Sequence, residues 1–302
     1  MAFVIRKTSF FIMNTLSLFA GSLVIPCLMG SLAALLFGNK SPQKKIPGLL
    51  FHSVLPCPGL NLSEYPLDNF HSFLQALNNH NIKTISVKDT LNVKSDLDKG
   101  SRCILSFDDG LECFYKYTLP VLQQTRHVST VFCVAGYLGR FSGWDVYPTK
   151  KHLNKEQIRI ISDNGHEIGS HTLTHANLPY LRDKDLDTEL KRSKEILEDI
   201  TSKPVTSISF PHGSWNQRVW EKAKAAGYTA ATLYRGHNNA QSDQFPVFGA
   251  FRFDSTTTLL KRISPNNRIF SSSIAAAKLL SHFSKGTPVW KFRKTYRFFL
   301  KG

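Results

Sequence analysis

Residues 103–110 read Cys-Ile-Leu-Ser-Phe-Asp-Asp-Gly, an apolar run that ends in two adjacent carboxylates and a glycine. A short apolar run bounded by turn residues is typical of a buried strand. Residues 170–175, Ser-His-Thr-Leu-Thr-His, place two imidazoles four positions apart after a second strand-like run. Polar groups at the ends of strands suit a barrel-like arrangement, in which those ends carry the chemistry.

The rest of the chain alternates between strand-like and helical patterns. We predict strands at residues 46–55 and 205–210, and a helix over residues 155–164 that Gly165 closes. Residues 186–200 form the clearest amphipathic helix, with apolar side chains on one stripe. Such alternation predicts an α/β fold with a mainly parallel sheet.

The two motifs together supply one carboxylate and two histidines, which suit a divalent metal with a fourth position open for water. The second carboxylate lies where a general base is useful. Taken separately, the acidic pair is an ordinary turn, and the histidines are ordinary surface or core side chains. Their combination favours a metal-dependent hydrolase.

The charge of the chain is high and unevenly distributed. The 302 residues carry a formal net charge of +16, and residues 259–302 contain ten Lys or Arg and no Asp or Glu. Within this tail, residues 290–300 interleave aromatic and cationic side chains, as interfacial segments do. No nucleic-acid recognition motif accompanies the charge, so we expect a membrane surface rather than nucleic acid as partner. The five cysteines include no Cys-x-x-Cys pair, so they indicate neither a zinc knuckle nor a disulfide framework.

The amino-terminal region is apolar. No charged residue occurs from residue 8 to residue 39, after a basic flank at residues 1–8. The run is longer than the core of a signal peptide and long enough to cross a bilayer. We predict a membrane anchor or signal segment at residues 9–37 and a linker at 38–46. An uncleaved anchor with the catalytic domain outside the cytoplasm is favoured, and a secreted form is the alternative.

Three motifs resemble those of the polysaccharide deacetylase family, also known as NodB-homology or carbohydrate esterase 4 proteins. They are residues 106–110, residues 165–175 and residues 209–213, the last reading Ser-Phe-Pro-His-Gly. The resemblance covers residues 47–254 and leaves 255–302 as a basic amphipathic, helical tail. It implies a distorted, incomplete (β/α) barrel that removes acetyl groups from sugars, usually N-acetylhexosamines.

Carried onto matching positions, the resemblance implies that Asp109, His171 and His175 hold the metal, most simply zinc. Asp108 is then the general base that acts on water at the metal. The main-chain N–H of His212 is implied as the donor to the tetrahedral oxyanion, because such an intermediate needs one.

The family also uses a histidine from a Leu-x-His motif as general acid, usually near the carboxyl terminus. This motif is missing after Tyr234 and occurs early instead, as Leu50-Phe51-His52. That order is similar to the permuted arrangement of the poly-N-acetylglucosamine deacetylases. His52 is therefore implied as general acid and Leu50 as part of the acetyl pocket. The alternative is a histidine at a strand end without a catalytic role.

The chain departs from the family pattern in its third motif. The usual arginine, which orients the catalytic aspartate, is replaced by Ser209, and we expect Arg252 to take its place. Pro211 is expected beside the substrate. Trp144 is a candidate for stacking on a pyranose ring, with ordinary packing as the alternative.

These inferences lead to one hypothesis with alternatives. We predict a membrane-attached, metal-dependent hydrolase that removes N-acetyl groups from a surface polysaccharide or a lipid-linked sugar. A deformylase or an O-acetyl esterase needs the same metal and base and remains open. The missing arginine favours a third alternative, a barrel that binds carbohydrate without turnover.

Overall fold

The computed structural model describes residues 46–59, 61–93, 102–142, 150–234 and 241–264. Its main sheet contains eight parallel strands. These strands are β1 (Gly48–Phe51), β4 (Lys83–Ile85), β5 (Arg102–Phe107), β6 (Thr130–Cys133), β7 (Glu167–Ser170), β8 (Ser207–Ser209), β9 (Ala230–Tyr234) and β10 (Gln244–Gly249). A second, two-stranded sheet pairs β2 (Ser53–Leu55) with β3 (Glu64–Pro66).

Seven of the eight strands close into a barrel. Their order is β1-β10-β9-β8-β7-β6-β5, and β5 pairs again with β1. The eighth strand, β4, pairs only with the beginning of β5, at residues 102–104. The closed circuit of parallel strands confirms the expected (β/α) barrel.

Helices connect the strands on the outside of the barrel. They are α1 (Leu67–Asn79), α2 (Val87–Thr90), α3 (Leu119–Thr125), α4 (Lys155–Asp163), α5 (Asp183–Thr201), α6 (Gln217–Ala225) and α7 (Thr256–Ile263). The stripe predicted on α5 is buried at Leu186, Leu190, Leu197 and Ile200. Asn154 begins α4 with a reciprocal capping box to Gln157, which satisfies two main-chain donors that the first turn leaves open.

The predicted strand over residues 46–55 is interrupted at His52. Gly48–Phe51 pairs with β5 and β10, whereas Ser53–Leu55 leaves the barrel and pairs with β3. The apolar pattern continues through both strands because both are buried, so the pattern alone does not reveal the break. The break leaves His52 at the end of a barrel strand.

Helix α7 lies in the segment expected as a tail, and it packs on the barrel domain. Leu259 and Ile263 are buried, and the Arg262 guanidinium binds the Asp254 carboxylate and donates to the main-chain oxygen of Gly249 at 2.7 Å. The proposed anchor at 9–37 and the tail beyond residue 264 lie outside the described residues. Within the described part of the chain, no helix has the length and apolar character needed to cross a bilayer.

A buried histidine makes the stability of the fold sensitive to acid. His166 Nδ1 lies 3.0 Å from Ser129 Oγ, and burial lowers the pKa of His166 to about 4. The unfolded chain, with a histidine pKa near 6.5, binds this proton first as the pH falls. The stabilisation that the fold gains from burying neutral His166 is therefore complete above pH 6.5. It is lost as the pH falls from 6.5 toward 4. For this one group we expect the free energy of unfolding of the metal-free protein to fall by about 2 kcal/mol between pH 7 and pH 5.

Urea unfolding of wild type and His166→Asn at both pH values measures this loss. The variant is expected to be less stable at pH 7 and to lose less stability on acidification. His80→Asn, at an exposed position, is the control and should follow wild type. If the free energy of unfolding falls by the same amount between pH 7 and pH 5 in all three proteins, His166 is not the source of the acid sensitivity.

Candidate metal centre and catalytic site

The motif side chains meet at the carboxyl edge of the barrel. Asp108 follows β5, His171 follows β7, and His52 follows β1. The main-chain N–H of Asp108 donates to the oxygen of Phe51 at 3.0 Å, which joins the ends of β5 and β1. The structure thus brings together groups that lie more than 100 residues apart in sequence.

The acidic pair lies on a turn that needs its glycine. Asp109 and Gly110 have φ angles of 70° and 60°. A Cβ at Gly110 would stand 2.9 Å from Cys133 Sγ and 3.0 Å from Cys133 Cα. A larger residue would be strained and would collide with β6, so the glycine lets Asp109 turn toward the histidines.

Asp109, His171 and His175 each bring one ligand atom to within 4.8 Å of the others. His175 Nε2 lies 3.4 Å from Asp109 Oδ1, and His171 Nε2 lies 3.7 Å from the same oxygen. Two ligands about 2.0–2.1 Å from a zinc ion, at a tetrahedral angle, stand roughly 3.4 Å apart. The donor types and their spacing therefore fit a divalent ion such as zinc.

The tautomer of His171 is fixed by a main-chain carbonyl. His171 Nδ1 lies 2.8 Å from the oxygen of Ser209, and a carbonyl only accepts hydrogen bonds, so Nδ1 carries the proton. The lone pair of Nε2 then faces Asp109. This is the outer-shell arrangement that orients metal-binding histidines.

Asp108 is buried beside this cluster. Its Oδ2 accepts a hydrogen bond from Ser209 Oγ at 3.0 Å and lies 3.9 Å from His171 Nε2. Its Oδ1 has no hydrogen-bond partner among the described residues. Burial raises the pKa of Asp108, while His171 and His52 act in the opposite direction. A buried carboxylate with one unengaged oxygen beside the ligand cluster is placed to accept a proton from water.

Asp109 differs electrostatically from its neighbour. Burial opposes its ionisation, but His175, His52 and His171 together lower the pKa of Asp109 to about 2. Burial also lowers the pKa of His175 well below its ordinary value. A carboxylate that is ionised next to an imidazole that is neutral near pH 7 matches the state in which both bind a metal.

Left-handed backbone is concentrated at this site. Seven non-glycine residues in the described part of the chain have positive φ, and four of them are Asp109, Thr172, His175 and His212. Such conformations cost about 1–3 kcal/mol each and persist where surrounding contacts hold them. Their position here indicates a preorganised site.

Two further predicted residues lie at the same edge. The half-buried imidazole of His52 interacts electrostatically with both carboxylates and favours a lower pKa for Asp108 and Asp109, so it lies near both. The His212 ring lies 4.6 Å from the His175 ring, centroid to centroid, at an angle of 76°. His212 thus borders the ligand cluster, with its main chain at φ 61°.

The remaining predicted residues are placed differently. Leu50 and Pro211 are buried at the ends of β1 and β8. Arg252 lies over the ring of Phe253, with 5.7 Å from guanidinium carbon to centroid, and its main-chain N–H donates to the main-chain oxygen of Leu62. The group bonded to Asp108 is the Ser209 hydroxyl, not the expected Arg252. Trp144 lies outside the described residues.

One residue of the site, His152, was missed by sequence reasoning. Its buried imidazole donates through Nδ1 to the main-chain oxygen of Asp109 at 2.7 Å, and the N–H of Leu153 donates to Gly110 at 2.8 Å. Burial lowers the pKa of His152, which keeps it neutral. His152 supports the left-handed Asp109 turn from a distant segment, and no local motif marks it.

Comparisons with known proteins identify relatives of this arrangement. The family model described as polysaccharide deacetylase matches residues 96–231. YxkH of Bacillus subtilis strain 168, assigned by its name to the polysaccharide deacetylases, is 27 % identical over 186 residues, which cover 61 % of this chain and 62 % of that protein. Poly-beta-1,6-N-acetyl-D-glucosamine N-deacetylase of Staphylococcus aureus strain MSSA476 is 25 % identical over 166 residues, which cover 52 % of this chain and 57 % of that protein. The chain thus spans about three fifths of the length of these curated relatives.

Among solved structures, the Streptococcus pyogenes deacetylase PplD in complex with acetate has a similar fold. The TM-score is 0.64 at 21 % identity, and the match covers 73 % of this chain and 99 % of that one. At this identity the likeness concerns the fold alone. The family model and the two curated relatives confirm the resemblance to polysaccharide deacetylases predicted from the motifs.

Proposed function

We propose that this chain, whose residues 96–231 match the polysaccharide deacetylase family model, hydrolyses N-acetyl groups on a polysaccharide or a lipid-linked sugar with the help of a divalent metal. One observation carries the proposal. Asp109, His171 and His175 converge at metal-binding distances while a second buried carboxylate, Asp108, lies beside them with an oxygen that no described residue engages.

In this proposal Asp109, His171 and His175 hold the ion. Held there, a divalent ion would supply polarisation of the acetyl carbonyl and greater acidity of a water molecule. Asp108 Oδ1 accepts the proton from that water, while Ser209 Oγ holds Asp108 Oδ2 in place. The water oxygen bonds to the carbonyl carbon, and the main-chain N–H of His212 donates to the developing oxyanion.

Collapse of the tetrahedral intermediate breaks the bond between carbon and nitrogen. An amide nitrogen leaves poorly as an anion, so it needs a proton as the bond breaks. We assign this proton to the imidazole of His52, at the end of β1. The products are acetate and a free amino sugar. Leu50, beside His52, is assigned to the wall of the acetyl pocket, and Pro211 to the substrate side of the third motif.

The substrate class is a proposal supported by relatives. The name of the Staphylococcus aureus relative specifies poly-beta-1,6-N-acetyl-D-glucosamine as that protein's substrate. The early position of His52 matches the motif order expected for such enzymes. We propose an N-acetylated hexosamine polymer or its lipid-linked precursor for this chain as well.

We also propose that the chain is attached to a membrane, with its catalytic domain outside the cytoplasm. Support comes from the charge-free run at residues 8–39 and the ten cationic residues of segment 259–302. An interfacial location brings the barrel close to lipid-linked or surface sugars. Assays of activity therefore use the full chain in detergent micelles.

Release of acetate tests the proposed function. The full chain, loaded with zinc, is incubated with β-1,6-linked and β-1,4-linked N-acetylglucosamine oligomers and with a lipid-linked N-acetyl sugar. We expect acetate release that depends on zinc and is restored when zinc is returned after chelation. Preferred release of formate from N-formyl sugars, or of acetate from O-acetyl esters, would identify the related hydrolases instead. No release from a folded, zinc-loaded protein would contradict the hydrolase and favour carbohydrate binding.

A further inference from the structure

The carboxylate of Glu189, on helix α5, is buried against the loop that carries His175. Its Oε2 accepts hydrogen bonds from the main-chain N–H groups of Leu173 and Thr174, both at 2.9 Å. Its Oε1 accepts a hydrogen bond from the Thr174 hydroxyl. One side chain, 7 % exposed, thus satisfies three donors of a five-residue loop.

The opposite edge of the loop is held by main chain. The N–H of Ala135 donates to the oxygen of Thr172 at 3.0 Å, and the N–H of Gly136 donates to the oxygen of Leu173 at 2.8 Å. A Cβ at Gly136 would stand 2.5 Å from that oxygen of Leu173. Only glycine allows the main chain to approach this closely. The hydrogen bonds from residues 135 and 136 hold the carbonyl groups of the loop, and Glu189 holds its N–H groups.

The loop that Glu189 and the main chain of residues 135–136 hold from its two sides is a strained segment. Thr172 and His175 have φ angles of 68° and 59°, and in this left-handed region a β-branched residue such as Thr172 is an outlier. The loop joins His171, fixed by Ser209, to His175, whose Nε2 must point at Asp109. Without contacts on its amide side, the loop could relax and carry the His175 imidazole away from the other two ligands.

We propose that Glu189 is a positioning residue that preorganises His175 for metal binding. This inference rests on the proposed function only in its choice of metal site. It assigns to Glu189 a role in metal affinity that extends beyond the stability of helix α5. Glu189 acts through the loop and touches neither metal nor substrate.

Zinc affinity of purified full chain, measured by competition with a chromophoric chelator, tests the proposal. We expect Glu189→Ala to weaken zinc binding by about 10–100-fold, as loss of outer-shell support does elsewhere. Glu189→Gln should lose less, because its amide oxygen still accepts from Leu173 and Thr174 while its nitrogen cannot accept from the Thr174 hydroxyl. Glu195→Ala, on the exposed face of the same helix, is the matched control and should bind zinc like wild type.

Circular dichroism and thermal unfolding accompany each variant, so that folding and affinity are read separately. If Glu189→Ala does not fold, Thr174→Val removes only the hydroxyl donor, and a few-fold loss of zinc affinity is expected. Folded Glu189 variants that bind zinc within twofold of wild type would overturn the proposal, whatever their melting temperature. A wild-type protein that binds zinc but releases no acetate would contradict the proposed function and leave this inference standing.

Discussion

Asp108→Asn is expected to lower the rate of acetate release by roughly 10³-fold, because removal of a general base typically costs 10²–10⁴-fold. The asparagine keeps the shape of the side chain, and its oxygen can still accept the hydrogen bond from Ser209 Oγ. It has no basic oxygen to take the proton from water. Steady-state release of acetate at saturating zinc measures the loss.

The same variant should keep its metal. The proposed ligands are Asp109, His171 and His175, so zinc content after dialysis should remain near one ion per chain. Burial raises the pKa of Asp108, and a neutral amide therefore suits this position without loss of stability. Asp163→Asn, at an exposed carboxylate on α4, is the control. Activity of Asp108→Asn above a tenth of wild type would show that another group accepts the proton.

Much of this site could be predicted because its residues are local in sequence. The strand into Asp108 and the spacing of His171 and His175 are short-range patterns, and parallel topology then brings strand ends to one edge. These patterns predict one carboxylate of the acidic pair together with two histidines, the family resemblance implies Asp109 as that carboxylate, and the structure places Asp109, His171 and His175 together. The apolar stripe of helix α5 was predicted for the same reason, because helical periodicity is a local signal.

The supporting contacts are long-range, and the sequence does not mark them. His152 reaches Asp109 across 43 positions, and Glu189 reaches Thr174 across 15. Neither lies in a motif whose spacing reveals its partner. Only the folded chain shows that a lone histidine and one acid of an amphipathic helix contact the turns that carry the proposed metal ligands.

Ser209 shows a different limit of prediction from the sequence. The absence of the family arginine was visible in the sequence, and Arg252 was the expected replacement. The structure instead places the small Ser209 hydroxyl on Asp108 and the Ser209 carbonyl on His171. One residue at the end of β8 thereby orients both the proposed base and a proposed metal ligand. A neutral donor leaves Asp108 with less opposing charge than a guanidinium would, which agrees with the raised pKa.

His171→Ala is expected to remove both zinc binding and activity. Loss of outer-shell support already costs 10–100-fold in metal affinity, so loss of one of three ligands should cost on the order of 10³-fold or more. His171 is preferred over Asp109 or His175 for this test because those two residues have positive φ. Substitution there would mix backbone strain with loss of a ligand. Chelator competition and acetate release, measured on the same preparation, check the result.

The comparison of the two variants assigns the two roles. Asp108→Asn should retain zinc and lose turnover, whereas His171→Ala should lose zinc and, with it, turnover. His80→Ala, at an exposed histidine, should lose neither. Tight zinc binding by a folded His171→Ala protein would remove His171 from the ligand set, since a catalytic zinc site uses three protein ligands and only two would remain. Recovery of activity at high zinc in His171→Ala, but not in Asp108→Asn, would distinguish a weakened metal site from a missing general base. Excess zinc can restore occupancy of the metal site, but it cannot restore proton transfer to Asp108.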